Sequence, residues 1–342
     1  MRILCFLLLI VSASCKHTGT TSRAFLIDKS YHFNTSIRAL EVINDQTVWF
    51  AGSGGQYGYT EDGGTHWTID SIQADTLLPH FRAIAVTQEA VFLLSIGSPS
   101  LLYRSIDQGQ HWDLVYQENH TKAFYDAMAF WDHREGIAMG DPTDGCLSVI
   151  ITRDGGLTWH KVTCDALPAT EEGEAAFAAS NSTLALNGDQ VWMVSGGKRA
   201  RVFHSKDRGR TWKVYDTPII EGGAMTGIFS IDFWDSNRGI IFGGDWEDKD
   251  LNHGNKALTG DGGQSWILTA NGQEPGYRSC VQYIPGSDGN KLMAVGIPGT
   301  SYSSDGGKRW QLLSKESYYT IRFASENVAW LAGDKKIARM VR

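Results

Sequence analysis

The chain of 342 residues lacks the marks of several large protein classes. It carries 31 Lys and Arg against 38 Asp and Glu, a formal charge of -7. With no basic stripe to neutralise phosphates, general nucleic-acid binding is excluded. No window reads as a long amphipathic helix, and no apolar run is long enough to span a bilayer. Proline is scarce at 8 residues, beside 38 glycines and 12 tryptophans, a balance that suits many short strands and tight turns. No His pair has zinc-ligand spacing and no Ser or Cys sits in a nucleophile elbow. Gly52-Ser53-Gly54-Gly55 leads from one strand into another, so the dinucleotide fingerprint fails. Asp248, Asp250 and Asn252 space three oxygens as a calcium loop does, but the glycine falls at the seventh position and no Glu follows at the twelfth. The residues therefore imply no cofactor and no metal.

What is present is a repeat. Residues 60–67 (TEDGGTHW), 105–112 (SIDQGQHW), 152–159 (TRDGGLTW), 205–212 (SKDRGRTW), 259–266 (TGDGGQSW) and 303–310 (SSDGGKRW) share the pattern [S/T]-x-D-x-G-x-x-W. Their aspartates, Asp62, Asp107, Asp154, Asp207, Asp261 and Asp305, lie 45, 47, 53, 54 and 44 residues apart, a period that suits one four-stranded propeller blade. The Asp can accept N–H groups of its own turn, the Gly can take positive φ, and the Trp can open the next strand with a surface that packs between blades. These aspartates are expected to be structural.

The second strands of the blades are visible as apolar runs ending in glycine: 48–52 (VWFAG), 91–97, 136–140, 191–196, 239–244, 291–296 and 328–333 (VAWLAG). Seven runs against six motifs lead to the expectation of an all-β, seven-bladed β-propeller with four-stranded antiparallel blades. The last unit lacks an outer strand, which residues 23–33 would supply, so that an N-terminal strand completes the last blade and hides open sheet edges. A six-bladed ring is the alternative.

The amino end reads as a targeting segment. Arg2 precedes an apolar run, residues 3–11, that ends in Ser12-Ala13-Ser14-Cys15. Residues 1–15 are expected to be a signal peptide with a lipobox-like end, Cys15 the lipidated residue and 16–22 a tether; plain cleavage is the other reading. A single propeller, acting as a monomer, would fill 23–342. Export implies an oxidising compartment. Cys146 and Cys164 flank the third motif symmetrically and should face each other as a disulfide, with two buried thiols as the alternative. Cys280 has no evident partner.

Function should lie on the face opposite the motif turns. Aligning the inner strands by their apolar residues places Arg38 (SIRAL), Arg82 (HFRAI), Asp126 (FYDAM) and Arg322 (TIRFA) at similar channel-facing positions, with Arg278 one residue out of register. Guanidiniums gathered at one sector make an anion site, because Arg offers a planar bidentate fork to carboxylates; salt bridging with Asp126 is the structural alternative. The facing loops are acidic and include Asp141 and Asp245. Trp246 could stack on a sugar or grip a peptide.

The repeated motif is identified as the Asp-box, or bacterial neuraminidase repeat, and spans nearly the whole chain after residue 22. Such repeats resemble those of sialidases, xyloglucanases, sortilins and the photosystem II stability/assembly factor family. Seven blades, the lipoprotein-like start, the length and the arginine cluster look most like the last of these and its non-photosynthetic bacterial relatives. That resemblance implies an exported cell-envelope scaffold, membrane-associated through its lipid, that holds a partner protein or peptide without catalysis. The oxidoreductase label that some relatives carry meets no redox motif here. The alternative is a sialidase-like glycoside hydrolase or a glycan-binding propeller. Arg38, Arg82 and Arg322 would then clamp the sugar carboxylate, Tyr319 with Glu174 would attack the anomeric carbon, and Asp126 would handle the proton. Against it, sialidases are six-bladed, and Arg38-Ala39-Leu40 stands where they carry Arg-Ile-Pro.

Overall fold

A computed structural model describes residues 25–342. The signal segment, Cys15 and the tether lie outside the described residues. Apart from one 3-10 turn, Cys164–Ala166, the regular elements are all β-strands. Innermost strands meet side by side, and Thr320–Ser325 contacts both Cys280–Tyr283 and Leu26–Val42, which closes the ring.

The strands pair into six sheets, four of them four-stranded and two six-stranded, which corrects the expected seven four-stranded blades. The reason is the first strand. Leu26–Val42 runs for 17 residues without a break. Its first part pairs with Val328–Val341, from Leu26 opposite Val341 to Ser36 opposite Asp334, and its second part pairs with Val48–Gly52. The closing segment and the first blade are thereby one sheet, and the run 328–333 takes its place inside it.

Second strands are apolar along both faces because both faces are covered. Val48 and Phe50 pack with Trp330 and Ile337 of the same sheet, while Trp49 and Ala51 pack with Phe81 and Leu93 of the next. Outer strands such as Thr68–Ser71 are exposed throughout.

The six motif turns share one geometry. In each, the hydroxyl of the first residue accepts the N–H of the second glycine position, as Gly64 to Thr60 at 2.9 Å and Gly209 to Ser205 at 2.8 Å. The aspartate accepts the N–H four residues on, as His66 to Asp62 and Thr211 to Asp207. That backbone N–H, aided by the His66 side chain, holds the Asp62 carboxyl down to about 2. The closing tryptophans reach the preceding sheet: Trp112 lies 5.1 Å from Tyr57 and Trp310 5.5 Å from Phe242, both edge-on.

Cys146 and Cys164 form a disulfide with Cα atoms 5.5 Å apart. Their facing is not part of the ladder, which ends at Ile150 opposite Lys161. Cys164 opens the 3-10 turn, and Cys146 bridges to Ala169. Cys280 is a free, buried thiol.

Candidate functional site at the channel mouths

Four inner strands carry a β-bulge near their entry to the ring. Ile37 pairs with Gly52 and Ala39 with Ala51, leaving Arg38 as the extra residue. Phe81 and Ala83 pair with Ser95 and Leu94, leaving Arg82. Tyr125 and Ala127 pair with Gly140 and Met139, leaving Asp126. Ile228 and Ser230 pair with Gly243 and Phe242, leaving Phe229. A bulge re-aims one side chain, and here it does so at corresponding places around one mouth, called the upper mouth. In three of the four a glycine, Gly52, Gly140 or Gly243, faces the bulge and leaves room for it, while Ser95 stands there in the remaining one. A Cβ on Gly243 would lie 1.9 Å from Gly227 O, and one on Gly140 2.1 Å from Phe124 O.

In the closing segment the corresponding residue is Tyr319, whose N–H bonds Ala332 O while Thr320 pairs with Ala332. Arg322 lies three residues further along, opposite Trp330, just as Glu41 lies opposite Trp49. The expected grouping of Arg322 with Arg38 and Arg82 is therefore corrected. The likeness of TIRFA to SIRAL misled because an Ile-Arg pair recurs at two depths of the strand.

The channel is plugged by its own chain. Asn181, at φ 55°, accepts Met128 N–H at 2.9 Å through Oδ1 and donates to Ile84 O at 3.0 Å. Ser180 donates to Ser279 O, and Ser182 to the Ser230 hydroxyl. Arg322 donates through Nη2 to Ser180 O and Asn181 O, and through Nη1 to Ile321 O, the Thr320 hydroxyl and Cys280 Sγ. This run of small residues latches strands from all around the ring and separates the upper mouth from a lower one.

The upper cavity, about 280 Å³, is lined by Arg38, Arg82, Phe177, Phe229, Tyr277 and Trp246, among others. Phe177 and Phe229 are stacked at 3.9 Å, with Tyr277 edge-on to Phe229 at 4.8 Å. Arg38 sits 3.8 Å above the Tyr319 ring and donates to Ala179 O at 3.3 Å. Among the described residues, Arg38 and Arg82 have no ion pair within 4 Å, and Arg82 makes no hydrogen bond. Burial pushes Arg82 down to about 10, and the neighbouring Arg38 charge adds to it. Asp126 is fully buried with neither carboxyl oxygen partnered. Burial, then the nearby Asp141, drives it well above the usual carboxylate range, against the pull of Arg82. Asp141 accepts Ala176 N–H at 2.7 Å and is pushed up to about 6 by burial.

Other expected site residues are committed elsewhere. Glu174 is buried in a forked pair with Arg201 and accepts the Ser195 hydroxyl, so it is not placed for catalysis. Arg278 points into its sheet, donating to Tyr277 O and the Ser301 hydroxyl. Asp245 caps its turn through Glu247 N–H and Asp248 N–H. Trp246, 39% exposed, has Lys249 Nζ 4.3 Å over its ring.

The lower cavity, about 340 Å³, is lined by Glu41, Asp232, Gln282 and Arg322 together with the plug. Burial raises Glu41 and Asp232 to about 7. A larger cleft of about 400 Å³ on the motif face has Asp132 and His133 as its ionisable groups. Sequence reasoning missed the aromatic wall and the plug. Phe229 was within reach, since counting back from the glycine pair of 239–244 (GIIFGG) places it level with Arg82.

No family model and no curated protein matches the chain. Solved structures do. The chain is similar to "YCF48 bound to D1 peptide" at 16% identity and TM-score 0.67, over 92% of this chain and 96% of that one. It is similar to YCF48 from Cyanidioschyzon merolae at 13% and 0.64, over 94% and 99%. A GH74 xyloglucanase from Xanthomonas campestris matches at 13% and 0.64, over 92% of this chain and 53% of the enzyme. At such identities the likeness shows the propeller fold.

Proposed function

We propose that this propeller is a non-catalytic scaffold whose upper mouth holds a segment of a partner polypeptide. One observation carries the reading: two guanidiniums without an acidic partner line a cavity whose walls are stacked aromatic rings. Arg38 and Arg82 would take an anionic group, and Phe177, Phe229 and Trp246 an apolar or aromatic side chain. The peptide named with one structural neighbour supports a polypeptide ligand for a mouth of this kind. The exported, lipid-anchored location in a bacterial envelope and the Asp-box relationship belong to the same proposal and rest on the sequence.

Glycan hydrolysis is the second reading, favoured by the GH74 neighbour and by exposed Trp246. Six sheets remove blade number as a ground against it. The side chains weigh more: Glu174 is spent on Arg201, Tyr319 lies under Arg38, and Arg322 is in the plug. The deciding experiment measures binding of a library of short acidic-aromatic peptides by anisotropy, beside turnover of sialosides and xyloglucan. Wild-type protein should bind a subset, and an Arg38→Ala/Arg82→Ala variant should lose about 10- to 100-fold in affinity, as expected for charge-assisted hydrogen bonds. Turnover of either glycan would reverse the choice.

A further inference from the structure

Asp126 has no role in the scaffold just described, yet it is the least comfortable group in the upper mouth. Its side chain is fully buried, and neither oxygen has a partner among the described residues. Arg82, the corresponding bulge residue of the neighbouring inner strand, is equally without a hydrogen bond. The two act on each other electrostatically without touching. An unpartnered acid beside an unpartnered cation is costly, and the cost is relieved in one of two ways. Either the acid ionises and draws the guanidinium to itself, or it stays neutral and an outside anion takes the guanidinium.

We propose that Asp126 is an internal competitor for Arg82, so that the upper mouth takes up a ligand carboxylate together with a proton on Asp126. The inference rests on reading this mouth as the binding site. Asp141, from Gly136–Pro142, and Arg82, from His80–Val86, are the charged groups that reach Asp126, with Arg38 beyond Arg82. The other packed strands, Val91–Ile96 and Leu184–Asn187, bring no titratable side chain. Asp141 holds the acid neutral from one side, while the Arg82 charge favours its ionisation. A bound carboxylate offsets that charge, which favours the neutral acid further. Affinity for a carboxylate must then fall as pH rises, by at most about tenfold per pH unit for one proton.

The test uses N-acetyl-phenylalanine as the carboxylate-bearing aromatic probe and its uncharged amide as the control. Binding is followed through the arginine Nε resonances between pH 5 and 8, with calorimetry in two buffers of different ionisation enthalpy. Wild-type protein should take up protons as the acid binds, and the amide should cause no uptake. Asp126→Asn should bind with little pH dependence. Asp141→Asn should keep the dependence, displaced to lower pH, because a neighbouring negative charge is gone. Binding of the acid without proton uptake by the wild-type protein, or a slope unchanged in Asp126→Asn, would overturn the inference and leave the scaffold reading standing. No binding of the acid at any pH would remove both. The calorimetric readout on the wild type needs no variant, so a misfolded Asp126→Asn would not protect the idea.

Discussion

The two mouths of the channel are built from the same strands a few residues apart, yet they are opposites. At the upper mouth the strands bulge, and Arg38 and Arg82 face a cavity without acidic partners. At the lower mouth the ladder is regular again, and the corresponding positions hold Glu41, Asp232, Gln282 and Arg322. Here the arginine is the satisfied group, with both of its terminal nitrogens bonded to the plug and its surroundings; Asp232 accepts the N–H groups of Tyr283 and Phe233, and Glu41 is the carboxyl left short of compensation. An arginine's role thus depends on which acceptors its depth in the ring brings within reach.

The sharpest way to break this contrast is to replace both kinds of arginine by leucine. Arg322→Leu strands Asn181 O in the plug, leaves Ser180 O with the Thr320 hydroxyl as its donor, and should cost about 3 kcal/mol in denaturant unfolding. Arg82→Leu gives up no hydrogen bond and should stay within about 1 kcal/mol of wild type. Equal losses would mean that both arginines are structural.

A smaller effect follows from Glu41. Its folded pKa of about 7 lies above the ordinary value of 4.5, so the preference for the neutral acid is fully present below that ordinary value. Stability is then lost as pH climbs toward the folded value. Glu41→Gln should match wild type near pH 4 and gain on the order of 1–3 kcal/mol by pH 8, the lower figure allowing for solvent in the cavity. A gain that is constant with pH would show that Glu41 is compensated after all. The smallest effect is expected at Trp246. Trp246→Ala should move the unfolding midpoint by less than about 0.5 kcal/mol while weakening peptide binding several-fold, because the ring is partly exposed and lines the upper cavity.

Much of the frame could be read directly, and the reasons are local. The motif turns close through hydrogen bonds spanning at most four residues, so six aspartates announce six identical hairpins. Second strands such as Val48–Gly52 are apolar on both faces and stand out at once. The site was legible only in part. Arg38 and Arg82 line one cavity, and their flanking sequences agree because both occupy the same bulge position. Arg322 was misplaced because nothing local separates a bulged Ile-Arg from a regular one. Glu174 and Arg278 looked available because their partners, Arg201 and Ser301, lie 27 and 23 residues away.

By itself, then, the sequence determined the repeat, its turns, the apolar strands and the presence of arginines near one mouth, since all of these depend on neighbours close along the chain. Tertiary structure alone decided that the first strand welds the closing segment to the first blade, and that a small-residue segment fills the channel. Both follow from contacts between residues far apart, such as Leu26 with Val341 and Asn181 with Ile84. No local pattern records which distant backbone groups will be waiting for a partner once the ring closes.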